Sequence, residues 1–366
     1  MTHPTITPDE EPRKLAAALH RAIPITRMVD YGVPLGDALE VHGRTGGDHP
    51  PQWDDVCEEL ARRRVTAAQQ AELSGCSLTA SQAWRAASAL LQCGQLAFNA
   101  DGPRKKALYE QAHAALECHA RLGDDLTPFT RQTPHGTLHG WLVGPVAMPV
   151  KGAVIVVGGL SGWGGSYLDI GRALSARGLL AILAEGPGQG LTRMRGGMHL
   201  DRETLPLFKE FLTHAQEDLL ASRLGVWGNS FGGLLAAGLA AGDRRVQAVC
   251  INGAPLTPGV PPFRTAREQM EALFGTTGEQ ALSMRLEMLG LDSRHHRIAG
   301  AMLVVEGGRD PIVPLGEQKS FFALAEPSRT RLLTWEDGEH TIYNHAEERN
   351  ALVADWFAQQ LLETEA

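Results

Sequence analysis

Six residues, Gly228-Asn229-Ser230-Phe231-Gly232-Gly233, lie between the apolar run Leu224-Gly225-Val226-Trp227 and the small-residue stretch Leu234-Leu235-Ala236-Ala237-Gly238-Leu239-Ala240-Ala241. The pattern predicts a strand, a tight turn with a serine at its apex, and a helix. Glycines two before and two after Ser230 allow a strained turn without a Cβ clash, so the hydroxyl stands clear above a sheet with a helix N-terminus aimed at it. A lone G-x-S-x-G string is common in loops; the flanking strand and helix, and Gly233 for close helix packing, separate this one from an ordinary turn.

A serine so placed calls for an acid and then a histidine further along the chain. The apolar run Ala301-Met302-Leu303-Val304-Val305 reads as a buried strand and ends in Glu306-Gly307-Gly308-Arg309-Asp310-Pro311, which puts Asp310 just past a strand end. A second strand-like run, Thr330-Arg331-Leu332-Leu333-Thr334-Trp335, ends in Glu336-Asp337-Gly338-Glu339-His340. Singly, Asp310 could be an Asp-Pro turn and His340 a loop histidine. Their order after Ser230 makes Ser230, Asp310 and His340 the candidate catalytic residues. Serine is a poor nucleophile at its own pKa, so a neutral imidazole must take its proton and return it to the leaving group. Asp310 would accept the other ring N–H, fix the tautomer and stabilise the imidazolium.

The apolar strand candidate Ala153-Val154-Ile155-Val156-Val157 ends in Gly158-Gly159-Leu160-Ser161-Gly162-Trp163-Gly164-Gly165, a loop able to present backbone N–H groups to an oxyanion. The expected donors are Phe231, the residue after the serine, and Leu160, with Ser161 as the alternative to Leu160. A phosphate-cradling reading of the double glycine fails, because no Lys-Ser or Lys-Thr follows.

The chain has 366 residues, 43% hydrophobic, with a formal net charge of −8. That balance leaves no electrostatic footprint for nucleic acid. The first residues lack a basic stretch followed by an apolar one, and no apolar run approaches the roughly 18 residues of a membrane span, so a cytoplasmic location is expected. Five cysteines, Cys57, Cys76, Cys93, Cys118 and Cys250, are odd in number and widely spaced, and point to free thiols rather than a disulfide or zinc framework. His295-His296, flanked by Arg294 and Arg297, reads as a surface pair and not a metal site. No cofactor and no metal are called for.

Organisation changes near residue 126. Before it, Val56 to Val65, Thr66 to Leu73, Thr79 to Phe98 and Pro103 to Leu122 repeat apolar residues at helical intervals, with Trp84, Phe98 and Tyr109 expected in the core. After it, Thr127 to Val143 alternates around a Pro134-His135-Gly136 turn and reads as a hairpin, in which His135 and His139 are hairpin residues; strand and helix patterns then alternate to the end. The expectation is a helical domain over 1–126 and an α/β domain over 127–366. The stretch 253–297, with Pro255, Pro258, Pro261 and Pro262 followed by amphipathic helix, is read as an excursion over the active site.

These motifs, together with the segment Arg27 to Asp37 containing Tyr31-Gly32-Val33-Pro34, the Ala83 to Lys106 segment and Glu185-Gly186-Pro187-Gly188-Gln189-Gly190, resemble one branch of the serine α/β-hydrolases. That branch carries an N-terminal helical cap and includes the 2,6-dihydroxypseudooxynicotine hydrolase-like, fungal polyketide-shortening and FrsA-like esterase enzymes. The resemblance implies an α/β-hydrolase core, a mostly parallel sheet flanked by helices, preceded by an all-helical cap domain. It also implies a Ser230-His340-Asp310 triad and a small-molecule substrate bound between cap and core. The expected reaction is hydrolysis of an ester, or of a carbon–carbon bond next to a ketone in an aromatic or polyketide-like compound, often by a homodimer. Relatives commonly have Asp where this chain has Glu185. The carbon–carbon hydrolase uses a further carboxylate, for which Glu268 and Glu271 are available, though both read first as solvated helix-face charges. A thioesterase releasing an acyl chain, and a non-catalytic binding protein of the same fold, are the alternatives.

Overall fold

The computed structural model describes residues 10–123, 125–144 and 149–362. The chain divides into two compact units, one comprising residues up to Phe98 together with Gly102–Gly123, the other Asn99–Asp101 together with Asp124 onward.

Among the described residues of the first unit six helices follow one another: α1 (Glu10–Ala22), α2 (Ile25–Asp30), α3 (Leu35–Thr45), α4 (Trp53–Leu73), α5 (Ser77–Gln95) and α6 (Pro103–Leu122). The two expected helices over 56–73 are a single one. Nothing in Val65-Thr66 interrupts the backbone ladder, and the β-branched pair lowers helix propensity too little to break it. The segment Arg27 to Asp37 is likewise two helices joined by a turn in which Gly32 takes φ +92°. Helix α5 is the centre: Trp84, Ala87, Leu90, Leu91 and Cys93 are buried, and so are its polar Ser88, Gln92 and Gln95. Pairing makes polar burial tolerable; Ser88 Oγ donates to Ala112 O at 2.7 Å and accepts from Gln92 Nε2 at 3.1 Å. Of the three expected core aromatics, Trp84 and Tyr109 are buried and Phe98 is half-buried.

The second unit is built on an eight-stranded sheet, β1 (Leu126–Thr133), β2 (Gly136–Val143), β3 (Gly152–Val157), β4 (Leu180–Glu185), β5 (Arg223–Asn229), β6 (Val246–Asn252), β7 (Ala301–Gly307) and β8 (Thr330–Trp335). Its order is β1-β2-β4-β3-β5-β6-β7-β8. The hairpin β1-β2 and the β2-β4 pair are antiparallel, and the pairs from β4 through β3 to β8 are parallel. Every residue of β3 and β4 is buried, as expected of parallel strands covered on both faces, which is why these runs are continuously apolar and do not alternate. Covering elements include α7 (Leu168–Ser175), the short α8 (Gly190–Met194) and α9 (Lys209–Thr213), α10 (Phe231–Gly242), and α13 (Ala346–Leu362). Trp227 on β5 stacks on Phe357 of α13, ring centroids 6.0 Å apart.

Between β6 and β7 run α11 (Arg264–Phe274) and α12 (Glu279–Glu287), separated by a turn with Gly275 and Gly278 at positive φ. The excursion therefore holds two helices. Its apolar side, Met270, Leu273 and Phe274, is buried in the same core as Phe231 and Leu234.

Candidate active site

Parallel strands deliver their C-terminal ends to one edge of the sheet, and ligand sites of open α/β sheets form there. Ser230 follows β5, Asp310 follows β7 and His340 follows β8. Ser230 takes φ 54° and ψ −132°, a backbone conformation that side-chain-bearing residues rarely adopt and that costs on the order of 1–3 kcal/mol. The neighbouring glycines permit it. A Cβ on Gly228 would stand 2.2 Å from Gly232 O, and one on Gly232 would stand 2.3 Å from Gly158 O. The turn is thus too tight for any other residue at either position.

The three side chains form one hydrogen-bonded line. His340 Nδ1 is 2.8 Å from Asp310 Oδ2, and His340 Nε2 is 2.8 Å from Ser230 Oγ. A carboxylate can only accept, so Nδ1 carries the proton and, in the neutral ring, Nε2 is left to accept the serine O–H. Asp310 Oδ1 accepts Ile312 N–H at 2.7 Å and Val313 N–H at 3.0 Å, and the Asp310 side chain is only 1% exposed. Both carboxylate oxygens are therefore occupied, which fixes the ring-facing oxygen.

Backbone N–H groups around the serine divide into used and unused. Ser230 N–H donates to Asn252 O at 2.7 Å, while Phe231 N–H lies in the first turn of α10, where donors have no intrahelical acceptor. On the other side Gly159 approaches so closely that a Cβ there would lie 3.0 Å from Ser230 Cβ. Leu160, the second expected donor, follows directly. Phe231 packs edge-on against Phe274 of α11, ring centroids 6.2 Å apart.

Several residues the motifs did not single out tie this edge together. Asn252, at the end of β6 and fully buried, donates through Nδ2 to Asn229 Oδ1 at 3.0 Å and to Thr341 O at 3.1 Å. Gln318, also fully buried, accepts the N–H groups of Gly253 and Ala254 at 2.9 and 3.2 Å. Glu306 on β7 accepts Gly316 N–H at 3.0 Å and the Thr334 hydroxyl at 3.1 Å. The available signal was a polar residue ending an apolar strand run, as in Val249-Cys250-Ile251-Asn252 and Val304-Val305-Glu306.

Glu185 now has a structural role. It is buried at the end of β4, and its Oε2 accepts Leu191 N–H at 2.6 Å, capping the start of α8. The longer acid is accommodated by glycine, since a Cβ on Gly164 or on Gly190 would each fall 2.1 Å from one of its carboxylate oxygens. Glu268 pairs with Arg264 at 3.2 Å and accepts Asn99 Nδ2 at 2.9 Å; Glu271 accepts Gly278 N–H at 2.8 Å. Both carboxylates are engaged on the α11 surface and in its C-terminal turn.

His295 is exposed, and His296 Nδ1 sits 3.1 Å from Asp292 N. Among the described residues no group of three His, Cys, Asp or Glu side chains could hold a metal ion, and no helix is long and apolar enough to cross a membrane. The cysteines are free thiols; burial pushes the Cys93 thiol up to about 12 and raises Cys57 and Cys250 as well. A cavity of about 550 Å³ opens at the other end of the sheet, where β5, β6, β7 and β8 begin, lined by Arg223, Arg331, Gly300 and Trp356; it contains none of the residues above.

Residues 208–364, the stretch that holds Ser230, Asp310 and His340, match the prolyl oligopeptidase family. No curated protein sequence matches the chain. Among solved structures, the crystal structure of 2,6-dihydroxy-pseudo-oxynicotine hydrolase superposes with a TM-score of 0.80 at 19% identity, covering 92% of this chain and 95% of that one. The wild-type structure of AbyA5 superposes with a TM-score of 0.69 at 18% identity, covering 95% of this chain and 99% of that one. At such identities the likeness is one of fold, and it extends through the N-terminal helices as well as the sheet. The chain has the α/β-hydrolase fold, with a helical region ahead of the sheet.

Proposed function

We propose that this protein is a serine hydrolase acting on a carbonyl substrate through a covalent intermediate on Ser230. The observation that carries the reading is the unbroken line Ser230 Oγ, His340 Nε2, His340 Nδ1, Asp310 Oδ2, with both contacts at 2.8 Å. As Ser230 attacks the carbonyl carbon, its proton passes to His340 Nε2, and the imidazolium is stabilised by Asp310. The negative charge that develops on the carbonyl oxygen is met by the N–H groups of Leu160 and Phe231. His340 then gives its proton to the leaving group, and water, activated by the same imidazole, releases the acyl group. No step in this sequence requires a cofactor.

The matched family and the hydrolase fold support hydrolysis in general, and the family resemblance supports an ester, or a carbon–carbon bond next to a ketone in an aromatic or polyketide-like compound. Engagement of Glu268 and Glu271 elsewhere on α11 favours the ester, because the carbon–carbon reaction of that branch uses an additional carboxylate. In this reading the enzyme is cytoplasmic and works on small molecules, and the resemblance adds a homodimer, which sedimentation would reveal. The test is a panel of short acyl esters, acyl thioesters and aryl diketones offered to the wild type and to Ser230→Ala. Oxygen esters should be turned over fastest, and the variant should lose on the order of 10⁴ to 10⁶ in turnover, the scale of triad-serine loss in other hydrolases. Turnover in the variant within tenfold of the wild type would remove Ser230 from the reaction.

A further inference from the structure

The loop that follows β3 is held from behind by two side-chain donors. Trp163 Nε1 donates to Gly159 O at 3.0 Å, and the fully buried Gln189 donates through Nε2 to Gly158 O at 2.6 Å, with Gly159 O at 3.4 Å. In a trans peptide the C=O and the N–H of one plane point in opposite directions. Anchoring the Gly159 oxygen on the indole and the amide therefore turns the Leu160 N–H to the opposite edge of the plane. Gly159, which begins that plane, is the residue that borders Ser230.

The indole is itself braced. Arg193 on α8 is 1% exposed in its side chain, and its guanidinium carbon lies 4.7 Å from the centre of the Trp163 ring. Its Nη1 donates to Gly188 O at 2.8 Å, next to Gln189 in the chain, and its Nη2 donates to Asp101 Oδ1 at 3.2 Å, with Nε 3.1 Å from Oδ2. A cation held over an indole face is attracted by the ring quadrupole, more strongly where water is excluded. A single buried charge thus fixes both the ring and the turn that carries Gln189. Asp101 lies in Asn99–Asp101, part of the connection between α5 and α6 and a segment of the second unit.

We infer that Trp163 and Gln189 are positioning residues for oxyanion stabilisation, aiming the Leu160 N–H, and that the Asp101–Arg193 pair holds them in register. The inference rests on the proposed serine-hydrolase reading. It assigns a catalytic consequence to a link lying between α5 and α6, far in sequence from the Ser230 motif: whatever shifts Asp101 shifts the oxyanion donor.

The experiment compares the wild type with Trp163→Phe, which keeps a ring under Arg193 and removes only the donor, and with Gln189→Met, which keeps the length and removes the amide. Both are read with one p-nitrophenyl ester, its thionoester and a trifluoromethyl ketone that forms a tetrahedral oxyanion on the serine. A whole oxyanion donor is worth about 10²–10³ in kcat, so misaiming one should cost about tenfold. The expected result is a tenfold fall in kcat for the ester with KM within twofold and an equal loss of ketone affinity. The ester-to-thionoester rate ratio should also fall, because sulfur depends less on the N–H donors. Unchanged kcat and ketone affinity in both variants, or losses that follow Tm with the ester-to-thionoester ratio intact, overturn the inference. A wild type that turns over none of the esters would instead overturn the underlying hydrolase reading.

Discussion

Asn252 is joined to Thr341 by a buried hydrogen bond, Nδ2 to O at 3.1 Å, that fastens the residue after His340 to the strand end beside Ser230. The same amide nitrogen reaches Asn229, the residue before Ser230, and the Asn252 carbonyl takes the Ser230 N–H. Thr341 and Ile342 both adopt left-handed backbone, φ 52° and 64°, an arrangement that β-branched residues hold only when their surroundings impose it. Arg349 of α13, 1% exposed, adds a second donor to Thr341 O at 2.7 Å. The position of His340 is thus set by strain in the residues that follow it, and that strain is held in place by two buried donors.

Replacing Asn252 by Asp keeps the shape and exchanges the shared donor for an acceptor facing two oxygens. Thr341 O keeps its Arg349 donor, but Asn229 Oδ1 loses its own; leaving a buried acceptor unpaired costs about 1–3 kcal/mol, so the variant should melt several degrees lower. It should also lose turnover with little change in KM, because the histidine rather than the substrate pocket is displaced. Thermal melting and steady-state kinetics on the same preparation check both effects, and an Asn252→Asp enzyme equal to the wild type in both would dissociate this amide from catalysis.

Asp310→Asn should leave the loop standing, since the retained oxygen can still accept from Ile312 and Val313. Its amide, however, offers a donor to His340 Nδ1, inverting the tautomer and removing the base from Ser230. The expected loss in kcat is about 10⁴, with an unchanged circular dichroism spectrum. Asp337 is no substitute, because its Oδ1 already holds His345 Nε2 at 2.9 Å. Activity within a few-fold of the wild type would contradict the assignment.

The helical unit should carry its own pH dependence. The rings of His20 and His42 lie tilted against each other, centroids 4.4 Å apart, beside Trp53, and burial lowers both pKa values below the usual 6.5, with repulsion from His42 adding to the shift at His20. A histidine whose folded pKa is depressed favours folding while neutral; that stability is complete above the unfolded value and is lost as pH falls through the folded one. The unit should therefore melt at lower temperature at pH 5 than at pH 7.5. The double variant His20→Gln with His42→Gln should show a shallower dependence than the wild type, and equal slopes would rule the pair out as its source.

What could be read from the sequence was whatever local pattern alone determines. The elbow around Ser230 needs glycines at fixed offsets, the strand ahead of Asp310 is an apolar run, and both signals survive without tertiary context. The residues that hold the site together were not legible, because Asn252, Gln318 and Glu306 gain meaning only when neighbouring strands bring distant backbone groups to them. Glu185 looked anomalous as a longer acid; its fit depends on Gly164 and Gly190, far enough along the chain that no window joins all three. The helices over 56–73 merged for the opposite reason, since weak local propensity differences at Val65-Thr66 yield to continuous packing along α4.

A Ser230 made nucleophilic by His340 should react covalently with a phosphonylating probe. Intact-mass analysis after treatment with a fluorophosphonate measures this most directly, with the wild type, Ser230→Ala and His340→Ala run side by side. The wild type should take one adduct per chain, mapped to the peptide containing Gly228-Asn229-Ser230, Ser230→Ala should take none, and labelling of His340→Ala should be slowed by several orders of magnitude. A full adduct on Ser230→Ala, or a His340→Ala protein that labels as fast as the wild type, would contradict that role for Ser230.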